Sequence, residues 1–187
     1  NLDLKLVKVI DTHIHADHIS ALNELNKRTN CIRVMGEKSK SEVIDLRIKD
    51  GEKIKVEEVE LQAMYTPGHT DCSYSFLMND RVFTGDTLLI NGSGRTDFQN
   101  GNAYDAYDSI FNKLLKLPEK TLVFPAHDYN GKKFSTIENE KNNNPRLQVS
   151  SKEEYADIMN NLNLANPKMM DVAVPANVKG LTLDNIN

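Results

Sequence analysis

Apolar positions fall in short runs and alternations separated by polar breaks, a pattern that predicts strands and helices in mixture. Leu6-Val7-Lys8-Val9-Ile10 is a β-rich run that stops at Asp11-Thr12, so it predicts a buried strand feeding a polar loop. Ile19, Leu22 and Leu25 then have helical spacing, and Cys31 to Met35 reads as the next strand, giving a β-loop-α-β order. Lys53–Val56 and the alternating Val59–Tyr65 predict two more strands, the second broken by Pro67-Gly68. Ser73–Met78 and Arg81–Thr84, joined at Asn79-Asp80, predict a hairpin that ends at Gly85-Asp86. Further on, apolar residues at 106, 110, 111, 114 and 115 predict one helix over Ala103–Leu117, stopped by Pro118. Thr121–Phe124 is the last clear strand, and Asn142–Asn144 is a polar stop. Ser151 with Glu154 three residues later predicts a capping box opening a helix to about Asn161. The order predicts a layered α/β domain over residues 1–187.

Composition narrows the class. The 187 residues carry 23 Lys plus Arg against 27 Asp plus Glu, a net charge of −4, so no basic surface for nucleic acid or anionic membrane is expected. No run of apolar residues exceeds three, far short of the roughly 20 needed to span a bilayer. Cys31 and Cys72 form no CxxC, which disfavours a zinc ribbon or a disulfide scaffold and fits a reducing compartment. Each is expected to be a buried small hydrophobe, as the methionines are expected to fill core. The chain opens Asn-Leu-Asp without Met, consistent with loss of an amino-terminal targeting segment.

The five histidines change the picture most. They stand at 13, 15, 18, 69 and 127, each in a stretch that reads as a turn after a strand, where sites in α/β sheets commonly lie. Asp17 adds a carboxylate among the first three, and Asp86 follows the predicted hairpin. Imidazole and carboxylate donors without nearby thiolate suit Zn, Fe or Mn. His13 and His15 point to opposite sides unless the loop turns. Gly68 and Gly85 are expected to permit tight turns that present His69 and Asp86.

Thr12-His13-Ile14-His15-Ala16-Asp17-His18, Thr66-Pro67-Gly68-His69-Thr70, Gly85-Asp86-Thr87 and Pro125-Ala126-His127-Asp128 resemble, in order and spacing, the motifs of the metallo-β-lactamase superfamily. Gly92-Ser93-Gly94-Arg95-Thr96-Asp97-Phe98-Gln99 and Asp171-Val172-Ala173-Val174-Pro175-Ala176-Asn177 are similar to the persulfide dioxygenases within it. The resemblance implies a four-layer αββα sandwich and one Fe(II) per chain on His13, His69 and Asp86. It also implies that His15, Asp17, His18 and His127 orient those ligands, although a two-metal site built from the same seven residues is equally open to the spacing. The implied reaction oxidises glutathione persulfide with O2 to sulfite and glutathione, in sulfide detoxification. A separate sulfurtransferase and a homodimer are the macromolecular partners considered, and the compartment would be bacterial cytoplasm or, in a eukaryote, mitochondrial matrix. The competing reading is a glyoxalase II-type hydroxyacylglutathione hydrolase with two metals, which generally carries a longer helical region after the last motif than the 60 residues following His127.

Three residues are assigned to the substrate side with that resemblance. Arg95 can pair with Asp97 and wall the metal site, with a solvated surface pair as an equal reading from the residues alone. Tyr129 can place its hydroxyl over the metal face, or pack at the rim. Arg146 would hold a glutathione carboxylate, where residue type alone favours simple surface placement. Asp128 either fixes the His127 imidazole or caps a turn. Only twelve residues precede His13, whereas the superfamily places several strands there, so an apolar sheet face without its covering strands is expected.

Overall fold

In the computed structural model, which describes residues 4–185, two sheets lie between two helical layers. β1 (Lys8–Ile10), β2 (Ile32–Gly36) and β3 (Leu46–Ile48) form an all-parallel sheet, with α1 (Leu22–Thr29) as the crossover between β1 and β2. Asn30, with φ of +56°, ends α1 in the left-handed region and its N–H caps the Asn26 carbonyl.

The second sheet is built on a meander. β4 (Lys53–Val56), β5 (Val59–Tyr65), β6 (Tyr74–Leu77) and β7 (Arg81–Gly85) pair antiparallel in sequence order. β8 (Leu88–Leu89) and β9 (Gly92–Ser93) make a small hairpin, after which β10 (Leu122–Pro125) joins β7 in parallel and β11 (Ser135–Thr136) closes the edge. The six-stranded order is β11-β10-β7-β6-β5-β4. α2 (Ala103–Tyr107), α3 (Ile137–Asn143) and α4 (Lys152–Asn160) precede the last helix, α5 (Met170–Lys179).

Three apolar clusters explain the layering. Ile110, Leu114, Ile137 and Tyr155 pack on Val82 and Val123, so the segment opened by α2, with α3 and α4, covers one face of the larger sheet. Val34 and Ile48 meet Ile54, Ala63, Tyr74 and Phe76, which joins the two sheets face to face. Leu22, Val174 and Val178 pack with Met35, Ile14 and Cys72, placing α1 and α5 outside the smaller sheet. The result is the expected αββα sandwich. Three strands cannot cover six, however. Phe76, Phe83 and Phe124 line, with Ile10 and Leu61, an open apolar cavity of about 350 Å³ on the inner face of the larger sheet.

Three local expectations differ from the structure. The helix expected over 103–117 is α-helical only to Tyr107, after which Asp108–Lys113 widens into a π turn and Leu114–Lys116 tightens to 3-10. Lys113 there donates to the Tyr65 carbonyl at 2.6 Å, while Ile110 and Leu114 stay fully buried. At α4, Ser151 Oγ accepts from the Glu154 N–H at 3.1 Å as a capping box requires, but Glu154 reaches back to Ser150 instead, accepting from its N–H at 2.6 Å. Met169, expected to fill core, is 45% exposed.

Candidate metal centre

The site collects loops from both sheets. His13 follows β1, His69 follows β5, Asp86 follows β7 and His127 follows β10. Gly68 has φ of +139° and Gly85 φ of +53°, conformations that strain any residue with a Cβ, so the two predicted turns exist where His69 and Asp86 are presented. A Cβ on Gly85 would stand 2.6 Å from Thr12 Oγ1, which ties that turn to the His13 loop. That loop bends, and His13 and His15 therefore lie on one side with ring centroids 4.3 Å apart.

One donor atom from each of His13, His69 and Asp86 falls within a 4.8 Å cluster, and His15, Asp17 and His18 form a second such cluster. Asp86 Oδ2 lies 3.6 Å from His69 Nε2 and 3.6 Å from His127 Nε2, and Asp17 Oδ2 lies 3.5 Å from His127 Nε2. All seven predicted residues thus meet in space, with His18 and Asp17 on the solvent side. His69 Nδ1 donates to the Arg95 carbonyl at 2.8 Å, which fixes its tautomer and leaves the Nε2 lone pair facing Asp86. His13 Nδ1 is hydrogen-bonded to Thr12 Oγ1 at 2.9 Å.

The electrostatics suit a cation. Burial, then the neighbouring imidazoles, holds the His13 pKa well below the usual histidine range, and burial followed by His18 brings that of His15 down to about 4. Both are therefore neutral at neutral pH, the form in which an imidazole can donate a lone pair to a metal. His15 Nδ1 and Asp86 Oδ1 are buried with no hydrogen-bond partner in the protein, an expensive state that a bound metal ion relieves. Burial pushes the Asp11 carboxyl up, while Ser20 Oγ donates to it at 2.5 Å; Asp11 Oδ1 lies 3.9 Å from His15 Nε2.

A cavity of about 560 Å³ opens over His69, Asp86 and His127 and is walled by Arg95, Tyr129 and Arg146. Arg95 forms a bidentate pair with Asp97 at 2.6 and 2.7 Å and donates to the Ala165 carbonyl at 2.7 Å. Its guanidinium also lies 4.1 Å over the Phe98 ring. What Arg95 offers the cavity is therefore a fixed plane, its donors being engaged within the wall. Tyr129 stacks on His127 with centroids 6.0 Å apart and is 85% exposed, so it stands at the rim. Arg146 is half-buried, its Nη1 donates to the Ser93 carbonyl, and among the described residues no carboxylate pairs with it. Burial lowers its pKa, the signature of a cation lacking compensation. Asp128 caps a turn, its Oδ2 accepting from the N–H groups of Asn130 and Lys132, and Cys31 and Cys72 are buried as expected.

Sequence reasoning missed the second row of contacts. Gln99 and Asn177 stand within the motifs quoted above, yet nothing in their spacing shows that both donate to the His13 loop.

Comparison with known proteins gives one answer at two levels. The metallo-beta-lactamase superfamily model matches residues 35–127, a span holding His69, Asp86 and His127. The mouse protein named "Persulfide dioxygenase ETHE1, mitochondrial" is 44% identical over 181 residues, which are 95% of this chain and 70% of that protein. The crystal structure of ETHE1 from Myxococcus xanthus superposes with a TM-score of 0.92 at 49% identity, covering 95% of this chain and 78% of that one. A hydroxyacylglutathione hydrolase from Dictyostelium discoideum is 32% identical over 152 residues, 75% of this chain and 56% of its own length.

Proposed function

Because this chain belongs to the metallo-β-lactamase superfamily and, within it, to the persulfide dioxygenases, we propose that it oxidises glutathione persulfide on a single iron held by His13, His69 and Asp86. The overall conversion takes glutathione persulfide, O2 and water to glutathione, sulfite and two protons. The observation that carries this reading is the donor cluster of His13, His69 and Asp86, of which His69 and Asp86 line a cavity whose wall holds Arg146, a cation without a carboxylate partner among the described residues.

Two imidazoles and one carboxylate on a single face leave room for substrate and O2, and iron supplies the redox chemistry that Zn²⁺ lacks. The chain's own residues do the rest. The Arg95 carbonyl holds the His69 ring in the tautomer that turns Nε2 inward. Arg146 attracts a glutathione carboxylate into an acidic protein, where a charge-assisted hydrogen bond gains from partial desolvation. Arg95, pinned to Asp97 and to the 164–165 backbone, keeps the opposite wall from closing or drifting. Tyr129, stacked on His127 at the rim, offers a hydroxyl to the incoming substrate. The apolar side chains of Leu89, Leu164 and Pro167 limit water beside the reacting sulfur. A bacterial cytoplasm or a mitochondrial matrix suits this reducing thiol chemistry, and a sulfurtransferase that delivers persulfide is a fitting supplier.

The second cluster of His15, Asp17 and His18 supports the alternative, a two-metal thioester hydrolase. Metal quantification coupled to O2 uptake separates them. We expect near-stoichiometric iron, O2 consumption with glutathione persulfide and no turnover of S-lactoylglutathione. Stoichiometric zinc without O2 uptake overturns the dioxygenase reading.

A further inference from the structure

The two stretches that carry the finer resemblance, 92–99 and 171–177, each end on a carboxamide, and neither carboxamide has a part in the chemistry above. In the folded chain both reach the same irregular loop. Gln99 Nε2 donates to the Ile14 carbonyl at 2.7 Å. Asn177 Nδ2 donates to the carbonyls of His15 and His18, each at 2.9 Å, and its Oδ1 accepts from the Ser20 N–H at 2.8 Å. Asn177 lies on α5 and is itself anchored, its carbonyl accepting from Ser41 Oγ at 3.2 Å. Gln99 and Asn100 take φ of +46° and +55°, a left-handed pair uncommon outside glycine. Asn100 Nδ2 holds that turn by donating to Asp71 Oδ2 at 2.9 Å.

A loop without strand or helix leaves its backbone carbonyls to find other partners. Here three such needs, at residues 14, 15 and 18, are met by two side chains that arrive from residues 85 and more than 150 positions away. We propose that Gln99 and Asn177 are positioning residues: a two-point carboxamide clamp that sets the backbone of residues 13–20 and so aims His13 at the position shared with His69 and Asp86. Only a carboxamide serves at 177, because it donates to two carbonyls and accepts from one N–H at once. An ionised Asp of the same shape keeps the acceptor and turns both donated bonds into repulsions. The clamp rests on His13, His69 and Asp86 being ligands, and is independent of which metal the protein uses or which reaction it runs.

The test uses Co²⁺ alone as the probe, with chelator competition for its Kd and its visible d–d absorption as a report of coordination geometry. Asn177→Asp and Gln99→Glu are each judged separately. Each should bind Co²⁺ about 10- to 100-fold more weakly than the wild type, the usual cost of losing a contact that orients a ligand. Each should also shift the d–d band while the metal-free protein stays folded and melts in one cooperative transition. A Kd within about twofold of wild type overturns the assignment for that residue, as does a lowered metal-free Tm with unchanged Kd. Loss of the fold in both variants overturns the clamp as well, because the amides would then serve the whole fold. His13→Ala must abolish tight Co²⁺ binding. If the wild type itself binds no Co²⁺, the ligand assignment fails and takes the clamp with it, an outcome distinct from wild-type binding that the two variants retain.

Discussion

His13 and His15 are kept neutral because each lies beneath the surface among other imidazoles, and this has a consequence for stability. In the unfolded chain a histidine takes up its proton near pH 6.5, whereas folded His15 resists until about 4. Protons therefore bind the unfolded state preferentially as pH falls through this window, and stability is lost on the acid side. For metal-free protein, His15 alone should cost on the order of 3 kcal/mol between pH 6.5 and 4. Asp11, whose carboxyl burial pushes up, works in the opposite direction. Denaturant midpoints of chelator-stripped protein at pH 7.5 and 5.0 measure the balance, and an unchanged midpoint contradicts it. Arg146 calls for kinetics instead. Arg146→Ala should raise KM for glutathione persulfide about 10- to 100-fold, the value of one charge-assisted hydrogen bond, with kcat much less affected. An unchanged KM removes the assignment.

Elements differ in how plainly their sequences announce them. Alternation over seven residues made β5 readable, and the βαβ order followed from two apolar runs flanking a helical spacing. β8, β9 and β11 have two residues each, too few to show any period. α5 was hidden by Pro175, which sits inside it where a proline usually stops a helix. Glu140 was equally silent. It is fully buried in the middle of α3, where it accepts from the Asn91 N–H at 2.8 Å, Ser135 Oγ at 2.5 Å and Asn144 Nδ2 at 2.9 Å. One carboxylate so joins the β8–β9 turn, β11 and the segment that carries Arg146. Glu140→Ala leaves several buried donors unpaired and should cost about 3–5 kcal/mol, read as a fall in urea midpoint. A shift below about 1 kcal/mol would show that water replaces the carboxylate.

Across the whole molecule, the candidate centre joins loops from both sheets, so a metal held there would act as a staple between layers. Ligand binding to the folded state alone adds about 2.7 kcal/mol at one hundred times Kd. At about 2–4 °C per kcal/mol for a chain of this size, stripping the metal should lower Tm by about 5–10 °C. Calorimetry with and without chelator checks this, and coincident melting curves would place the metal outside the folding equilibrium. Phe83 and Phe124 lie on the inner face of the six-stranded sheet and line an open apolar cavity that the three-stranded sheet does not fill. The chain spans 70% of the length of its mouse relative.

The amino-acid sequence by itself made legible the longer strands and helices, the imidazole and carboxylate residues of the candidate metal centre and the family resemblance, because periodicity and motif spacing are local properties. Tertiary structure alone decided which donors share a position. It turned the His13 loop so that alternate side chains face one way, spent the Arg95 donors on Asp97 and the 164–165 backbone, and left Arg146 without a carboxylate partner among the described residues. It also brought Gln99 and Asn177 onto the same loop. The reason is physical: a hydrogen bond between residues 15 and 177 depends on how α5 packs over the smaller sheet, and no window along the chain contains both ends of it.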